Sequence, residues 1–167
     1  KKLAESGTIP VSTTLLGIGS FPSNHPLNMG MMGMHGNAHA NNAIQDADLL
    51  IACGMRFDDR VTGNLKTYSP NSKKIHIDID PAEINKTVKV DSPIIGDINE
   101  VLELLNPKVN SETHTSWLKE VEHLKSEHPS LMIPESETLL GQQVIKTLSD
   151  LTEGSAIVCT GVGQHQM

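Results

Sequence analysis

Short apolar, β-branched segments alternate with helical segments along most of this chain, and no other feature restricts its fold as strongly. Residues 8–14 (TIPVSTT), 48–53, 74–80 (KIHIDID), 88–95 and 156–160 read as strands. Residues 1–6 read as the end of a helix stopped by Gly7 as its C-cap. Further helices are expected over 37–47 from an Asn37 cap, over 81–86 with Pro81 at its first position, and over 97–105. In the last of these, Asp97 and Glu100 have capping-box spacing. Residues 111–128 form an amphipathic pattern with Trp117, Val121 and Leu124 on one face, and 138–151 a final helix. Segment 48–53 is apolar throughout, as expected for a strand buried on both faces. Strand–helix alternation at this spacing predicts an α/β fold, a doubly wound parallel sheet flanked by helices.

In such sheets, ligands bind beyond the carboxyl ends of the strands. That rule selects the long Gly- and Met-rich loop 15–34, the loop 54–70 and the acidic strand end at Asp78. The chain has 13 basic residues, yet its only arginines, Arg56 and Arg60, fall in one of these loops. A planar guanidinium fork suits phosphate and carboxylate oxygens, so the pair is a candidate anion clamp. The alternative is a surface loop in which the arginines pair with Asp58 and Asp59. Gly54 lets backbone approach a ligand closely. Asp78 stands where dinucleotide folds carry a ribose-binding carboxylate, although a strand-end Asp is often only solvated or a cap. Met29, Met31, Met32 and Met34 offer either an adaptable platform for a flat ring or plain packing. Clamp, ribose acceptor and platform are the parts of a dinucleotide site. No G-x-G-x-x-G or P-loop motif accompanies them, and no nucleophile elbow is present.

Composition narrows the classes. A formal net charge of -7 offers no basic face to nucleic acid. No apolar run is long enough for a membrane span. Cys53 and Cys159 lie in apolar runs, which predicts buried thiols in a reducing compartment. Eight histidines are present, but no Cys or carboxylate completes a tetrahedral set with them, so no metal site is expected within the chain. The chain begins without Met, and neither end reads as a natural terminus, so a fragment is expected.

Four segments resemble the catalytic subunit of acetolactate synthase (acetohydroxyacid synthase), a thiamine-diphosphate enzyme family. They are Gly30-Met31-Met32-Gly33-Met34-His35-Gly36, Gly54-Met55-Arg56-Phe57-Asp58-Asp59-Arg60-Val61-Thr62-Gly63, His76-Ile77-Asp78-Ile79-Asp80-Pro81, and the terminal Gly163-Gln164-His165-Gln166-Met167. The second is the most specific. The first is shared more loosely with other carboligases. Residues 111–137 are the least distinctive part of the chain.

The resemblance implies a Rossmann-like parallel sheet, truncated at both ends. It assigns 1–107 to most of a central FAD-binding domain, 108–137 to a linker with one amphipathic helix, and 138–167 to the start of the thiamine-diphosphate domain. FAD contacts are implied for Thr14, Leu15, Met34, His35, Gly36, Gly54, Arg56, Asp58, Arg60, Val61, Asp78, Ile79 and Asp97, the last three at the adenosine end. Val162, Gly163, Gln164 and His165 would line the thiamine-diphosphate site, and Asp59 and Arg60 the substrate and inhibitor entrance. The family decarboxylates pyruvate and joins the two-carbon unit to a second 2-keto acid, in branched-chain amino acid synthesis, with Mg2+ as a further cofactor. Its activating Glu and its metal motif have no counterpart among these residues, so no catalytic residue is assigned and the piece alone is expected to be inactive. A homodimer or homotetramer with a regulatory small subunit is implied, in bacterial cytoplasm or a eukaryotic organelle. Two other readings stay open: another thiamine-diphosphate enzyme of the pyruvate oxidase or glyoxylate carboligase type, or a non-catalytic nucleotide-binding module. Arg56-Phe57-Asp58-Asp59-Arg60 favours acetolactate synthase over the first of these.

Overall fold

A computed structural model describes residues 1–159, 161 and 163 of the chain. The chain divides into two compact units, Lys1–Ser130 and Leu131–Met167. The first holds two parallel sheets among the described residues. In one, β1 (Val11–Thr13) pairs with β2 (Asn28–Met31). In the other, β3 (Leu49–Cys53), β4 (Lys73–Asp78) and β5 (Ser92–Ile95) lie side by side in that order. The helices of this unit are α1 (Lys2–Gly7), α2 (Ala38–Asp46), the single-turn α3 (Asp59–Thr62), α4 (Ile98–Leu105) and α5 (Thr115–Glu127). Parallel sheets flanked by helices bear out the α/β class read from the alternation.

The central strand β4 is the buried one. Lys74, His76, Ile77 and Asp78 are all shielded from water. Lys74 is tolerated because its ammonium donates to the Ser69 and Ser72 carbonyls at 2.8 and 3.1 Å. Strand β3 was expected to be covered on both faces, and here the structure corrects the sequence. It stands at the edge of its sheet, so only Ala52 is buried, while Leu49 and Cys53 are exposed. The expected burial of the thiols fails with it, since Cys53 and Cys159 are both exposed and free.

Two small cores hold the first unit. One gathers Met29, Ala40 and Ala43 with Val121, Leu124 and Trp117. The three α5 residues are those whose spacing predicted an amphipathic helix, and they dock it on α2. Full burial of one such aliphatic side chain is worth roughly 1.5–3 kcal/mol. The other core packs Ala52, Phe57 and Tyr68 against Ile44, Leu50 and Met55. Buried His39 ties the α2–α5 contact together through both ring nitrogens. They lie 2.7 Å from the His128 carbonyl oxygen and 2.9 Å from that of Met29.

Several local expectations are corrected. The loop over 15–34 conceals β2, because Met29 faces the core while glycine and asparagine mask the strand signal. Residues 81–86 form turns rather than a helix. Glu83 N–H donates to the Asp80 carbonyl, Lys86 N–H to that of Glu83, and Asn85 takes a left-handed φ of 59° that helix cannot continue through. Helix α1 runs through Gly7, and the left-handed residue after it is Thr8. A Cβ at Gly7 would lie 2.8 Å from Ile9 Cδ1, the end of a side chain that can turn aside.

The second unit contains α6 (Gly141–Leu151), as expected. Residues 156–159 are not a strand, because no neighbouring strand among the described residues takes their ladder hydrogen bonds. Thr160, the end of that expected strand, lies outside the described residues. No helix among the described residues is long and apolar enough to cross a membrane.

Candidate functional site

The loops selected by the strand-end rule are tied to one another by backbone hydrogen bonds. Gly54 follows β3 directly, and its N–H donates to the Ile77 carbonyl at 2.8 Å. The Gly96 N–H, just after β5, donates to the Asp78 carbonyl at 3.0 Å. Thus Gly54, Asp78, Ile79 and Asp97 occur together at the carboxyl ends of β3, β4 and β5. The other sheet reaches the same region. Met32 N–H donates to the Thr13 carbonyl at 3.0 Å, placing the turn at Thr14 and Leu15 beside the segment from Gly33 to Gly36. Met34 N–H donates to the Arg60 carbonyl at 2.7 Å and so joins the two sets of loops.

A cavity of about 330 Å³ opens at this junction. It is lined by Gly33, Met34 and Tyr68, by Asn41, Ile44 and Gln45 of α2, and by the run of residues 59–63. Four of the expected residues, Met34, Asp59, Arg60 and Val61, therefore share one concave surface. Thr14, Leu15, Gly54, Arg56, Asp58, Asp78, Ile79 and Asp97 are not among its lining residues. His35 and Gly36 stand in the turn beside it, between Met34 and the start of α2. Gly163 is described and half-buried, but Val162, Gln164 and His165 lie outside the described residues.

The arginine loop is built by a cap. The Asp58 carboxylate accepts from the Arg60 and Val61 N–H groups at 3.1 and 3.2 Å, starting α3. Arg56 Nη2 also reaches Asp58 Oδ2, but at 3.5 Å with the arginine side chain 66% exposed. A contact that long and that wet is weak, so most of the guanidinium's donors face solvent. The pairing of arginine with its own loop's acids is thus present for Arg56 only marginally. Asp97 caps α4 through the Asn99 and Glu100 N–H groups. Asp78 Oδ1 accepts the Asp80 N–H at 2.9 Å, and Oδ2 lies 3.6 Å from the buried His76 Nε2.

The methionine platform is mostly corrected. Met29 and Met32 are core residues, Met31 is half-buried, and only Met34 shows a largely exposed side chain to the cavity. Sequence reasoning also missed residues that shape the site. Asn41 clamps Gly33 from α2, accepting its N–H at 2.8 Å and donating to its carbonyl at 2.9 Å. The signal was available: Asn41 and Asn42 sit inside an otherwise Ala-rich helix, where asparagine is a poor former. Tyr68 was overlooked because it lies late in a polar loop. Desolvation pushes its phenol up to about 12. Among the described residues, no cluster of three or more His, Cys, Asp or Glu side chains is arranged to hold a metal.

Comparison with known proteins agrees with this geometry. Residues 1–105 match the family described as thiamine pyrophosphate enzyme, central domain. The whole chain is 48% identical to the acetolactate synthase large subunit of Corynebacterium glutamicum. It is 43% identical to the chloroplastic acetolactate synthase 1 of Zea mays, again over its full length. It is 41% identical to the isozyme 3 large subunit of Escherichia coli, also over its full length. The chain spans only 28%, 27% and 30% of these three relatives. With the family match covering well over half its residues, this chain belongs to the thiamine pyrophosphate enzymes, through their central domain.

Proposed function

We propose that this chain is the central part of an acetolactate synthase large subunit and that its strand-end loops bind FAD. The observation that carries the reading is the convergence of both sheets' carboxyl-end loops through the Met34–Arg60, Gly54–Ile77 and Gly96–Asp78 backbone bonds. The residues present fit a dinucleotide. Gly54 takes a left-handed φ of 62° with nothing within 4 Å of where its Cβ would be, which leaves room for a close ligand. Arg56 holds out a solvent-facing guanidinium suited to diphosphate oxygens. Asp78 holds its carboxylate at the carboxyl end of β4, the position from which a dinucleotide fold binds a ribose hydroxyl.

In this reading, Arg56 and Arg60 neutralise and orient the diphosphate, and Asp78 fixes the ribose. Asp97 and Ile79 border the adenosine end. Thr14, Leu15, Val61 and the segment from Met34 to Gly36 border the flavin, with Asp58 holding the arginine loop in register. The residues over 1–107 form this binding part, 108–137 the link, and 138–167 the opening of the part that holds thiamine diphosphate, with Gly163 and its neighbours Val162, Gln164 and His165 at that cofactor. Thiamine diphosphate supplies the electron sink for decarboxylation when bound with Mg2+. In this reading the FAD holds the site in shape and undergoes no net redox change. Asp59 and Arg60 line the cavity and, in this reading, border the entrance for 2-keto acid substrates. A regulatory small subunit and a homodimeric or homotetrameric assembly belong to the same reading.

Incubating the full-length protein with pyruvate, thiamine diphosphate, FAD and magnesium should yield acetolactate. Its absence under saturating cofactors overturns the reading. Flavin reduction by pyruvate in place of carboligation points to the pyruvate oxidase type.

A further inference from the structure

His76 is wholly buried in the central strand and was not among the residues expected to touch a ligand. Its Nε2 lies 2.9 Å from the Met55 carbonyl oxygen. A carbonyl only accepts, so Nε2 carries a proton and donates to it, while Nδ1 is buried with no hydrogen-bond partner. The same Nε2 is 3.6 Å from Asp78 Oδ2, two residues along the strand. The Phe57 ring meets the imidazole edge-on, with centroids 5.0 Å apart and planes at 80°. Phe57 itself has a left-handed φ of 51°, uncommon for a bulky side chain. That conformation puts the ring inside, 2% exposed, while the neighbouring Arg56 side chain turns out to solvent.

One imidazole therefore touches the arginine loop twice, at Met55 and Phe57, and stands against the carboxylate at the other end of the site. We propose that His76 is a positioning residue for the nucleotide site. It pins the arginine loop to β4 and fixes the spacing between Arg56 and the Asp78 carboxylate. This rests on reading those loops as a dinucleotide site. Packing alone does not account for it, because an apolar side chain of similar size would fill the space without the directed bond to Met55.

The test measures FAD affinity of the full-length protein by flavin fluorescence titration, alongside thermal melting of the apoprotein. Three variants are compared: His76→Gln, which keeps an N–H at the ε position, His76→Met, which fills volume without a donor, and Phe57→Leu, which keeps the bond but removes the ring edge. His76→Met should weaken FAD binding about tenfold, the size of one hydrogen bond, while His76→Gln stays within about threefold of wild type. A merely structural histidine would shift both melts and leave the affinity of the folded protein alone. Wild-type affinity in His76→Met, or equal weakening in His76→Gln and His76→Met, overturns the proposal. If His76→Met does not fold, Phe57→Leu decides. Weaker FAD binding by the folded variant supports the clamp, and unchanged binding overturns it. Wild-type protein that binds no FAD overturns the site reading and this inference together, whereas wild-type binding with an indifferent His76→Met overturns the inference alone.

Discussion

Replacing Gly33 by alanine strikes the junction between the two sets of loops. Gly33 has a φ of 102°, and a Cβ there would sit 2.7 Å from the Arg60 carbonyl oxygen and 3.3 Å from Val61 Cα. Both neighbours are backbone, so no side chain can swing aside. Asn41 holds Gly33 on both its N–H and its carbonyl, so the residue cannot back away. Alanine must then enter a positive-φ conformation, at about 1–2 kcal/mol. It must also push the Arg60 carbonyl from Met34 N–H, losing a net hydrogen bond of about 1 kcal/mol. The expected loss of stability is about 2–3 kcal/mol. Gly54→Ala is the control, because its φ is also positive but its Cβ would meet nothing within 4 Å. It should cost only the conformational part, about 1–2 kcal/mol, so Gly33→Ala should exceed it by about 1 kcal/mol. Equilibrium urea unfolding followed through the single tryptophan, Trp117 in the α2–α5 core, reads both values. Equal losses for the two variants, or an undisturbed Gly33→Ala protein, would refute the claim that this glycine is fixed by contact with Arg60.

Other outcomes follow from the same geometry. Arg56→Ala should weaken FAD binding by roughly 1.5–3 kcal/mol, the loss of one charge-assisted contact, and flavin retained at wild-type levels through a desalting column would contradict it. His39→Leu removes the one N–H that a neutral imidazole can donate to the Met29 or His128 carbonyl, so unfolding free energy should fall by about 1–3 kcal/mol, against no change if those contacts are idle. Tyr68 is the single tyrosine of residues 1–167, so in a protein of these residues absorbance at the tyrosinate band reports it alone, and it should titrate at about 12 when folded. Because that folded value is raised, the stability it contributes is present below the ordinary value of about 10 and is lost as pH climbs towards 12. A native-state midpoint near the ordinary value would refute its burial. Asp91 is held below the usual carboxylate range by the Lys74 N–H and then by the Lys73 ammonium. Its contribution should be present above about pH 4 and lost as acid protonates it, and Asp91→Asn should flatten that part of the pH–stability curve.

Features that depend on one segment's own pattern were legible. The cap at Asp97 and the face carrying Trp117, Val121 and Leu124 arise from local chemistry and spacing, whereas Asn37 stands at the start of α2 but turns its side chain to the Met31 N–H and caps nothing. The strand-end rule found the loops that meet at the cavity, and the isolated arginine pair marked one of them. What depends on neighbours was hidden. The edge position of β3, which exposes Cys53, is set by which strands pair and not by its apolar sequence. Met29 and Met34 look alike in the sequence, yet one fills the core and the other faces the cavity, since alternation along β2 and the turn after it decides. His76 read as part of a strand, because its partners at Met55 and Phe57 are about twenty residues away and meet it only after the loop folds back. Asn41 was similarly concealed, as its role requires the left-handed turn at Gly33 to present both peptide groups.

The central claim is that the joined strand-end loops form an FAD site in a thiamine pyrophosphate enzyme. Its most direct test is an equilibrium FAD titration of the full-length protein beside a variant carrying Arg56→Ala and Asp78→Asn together. The account predicts saturable binding by the wild type and its near-complete loss in the double variant, with the apoprotein still folded. No FAD binding by the wild type, or equal binding by both proteins, would contradict it.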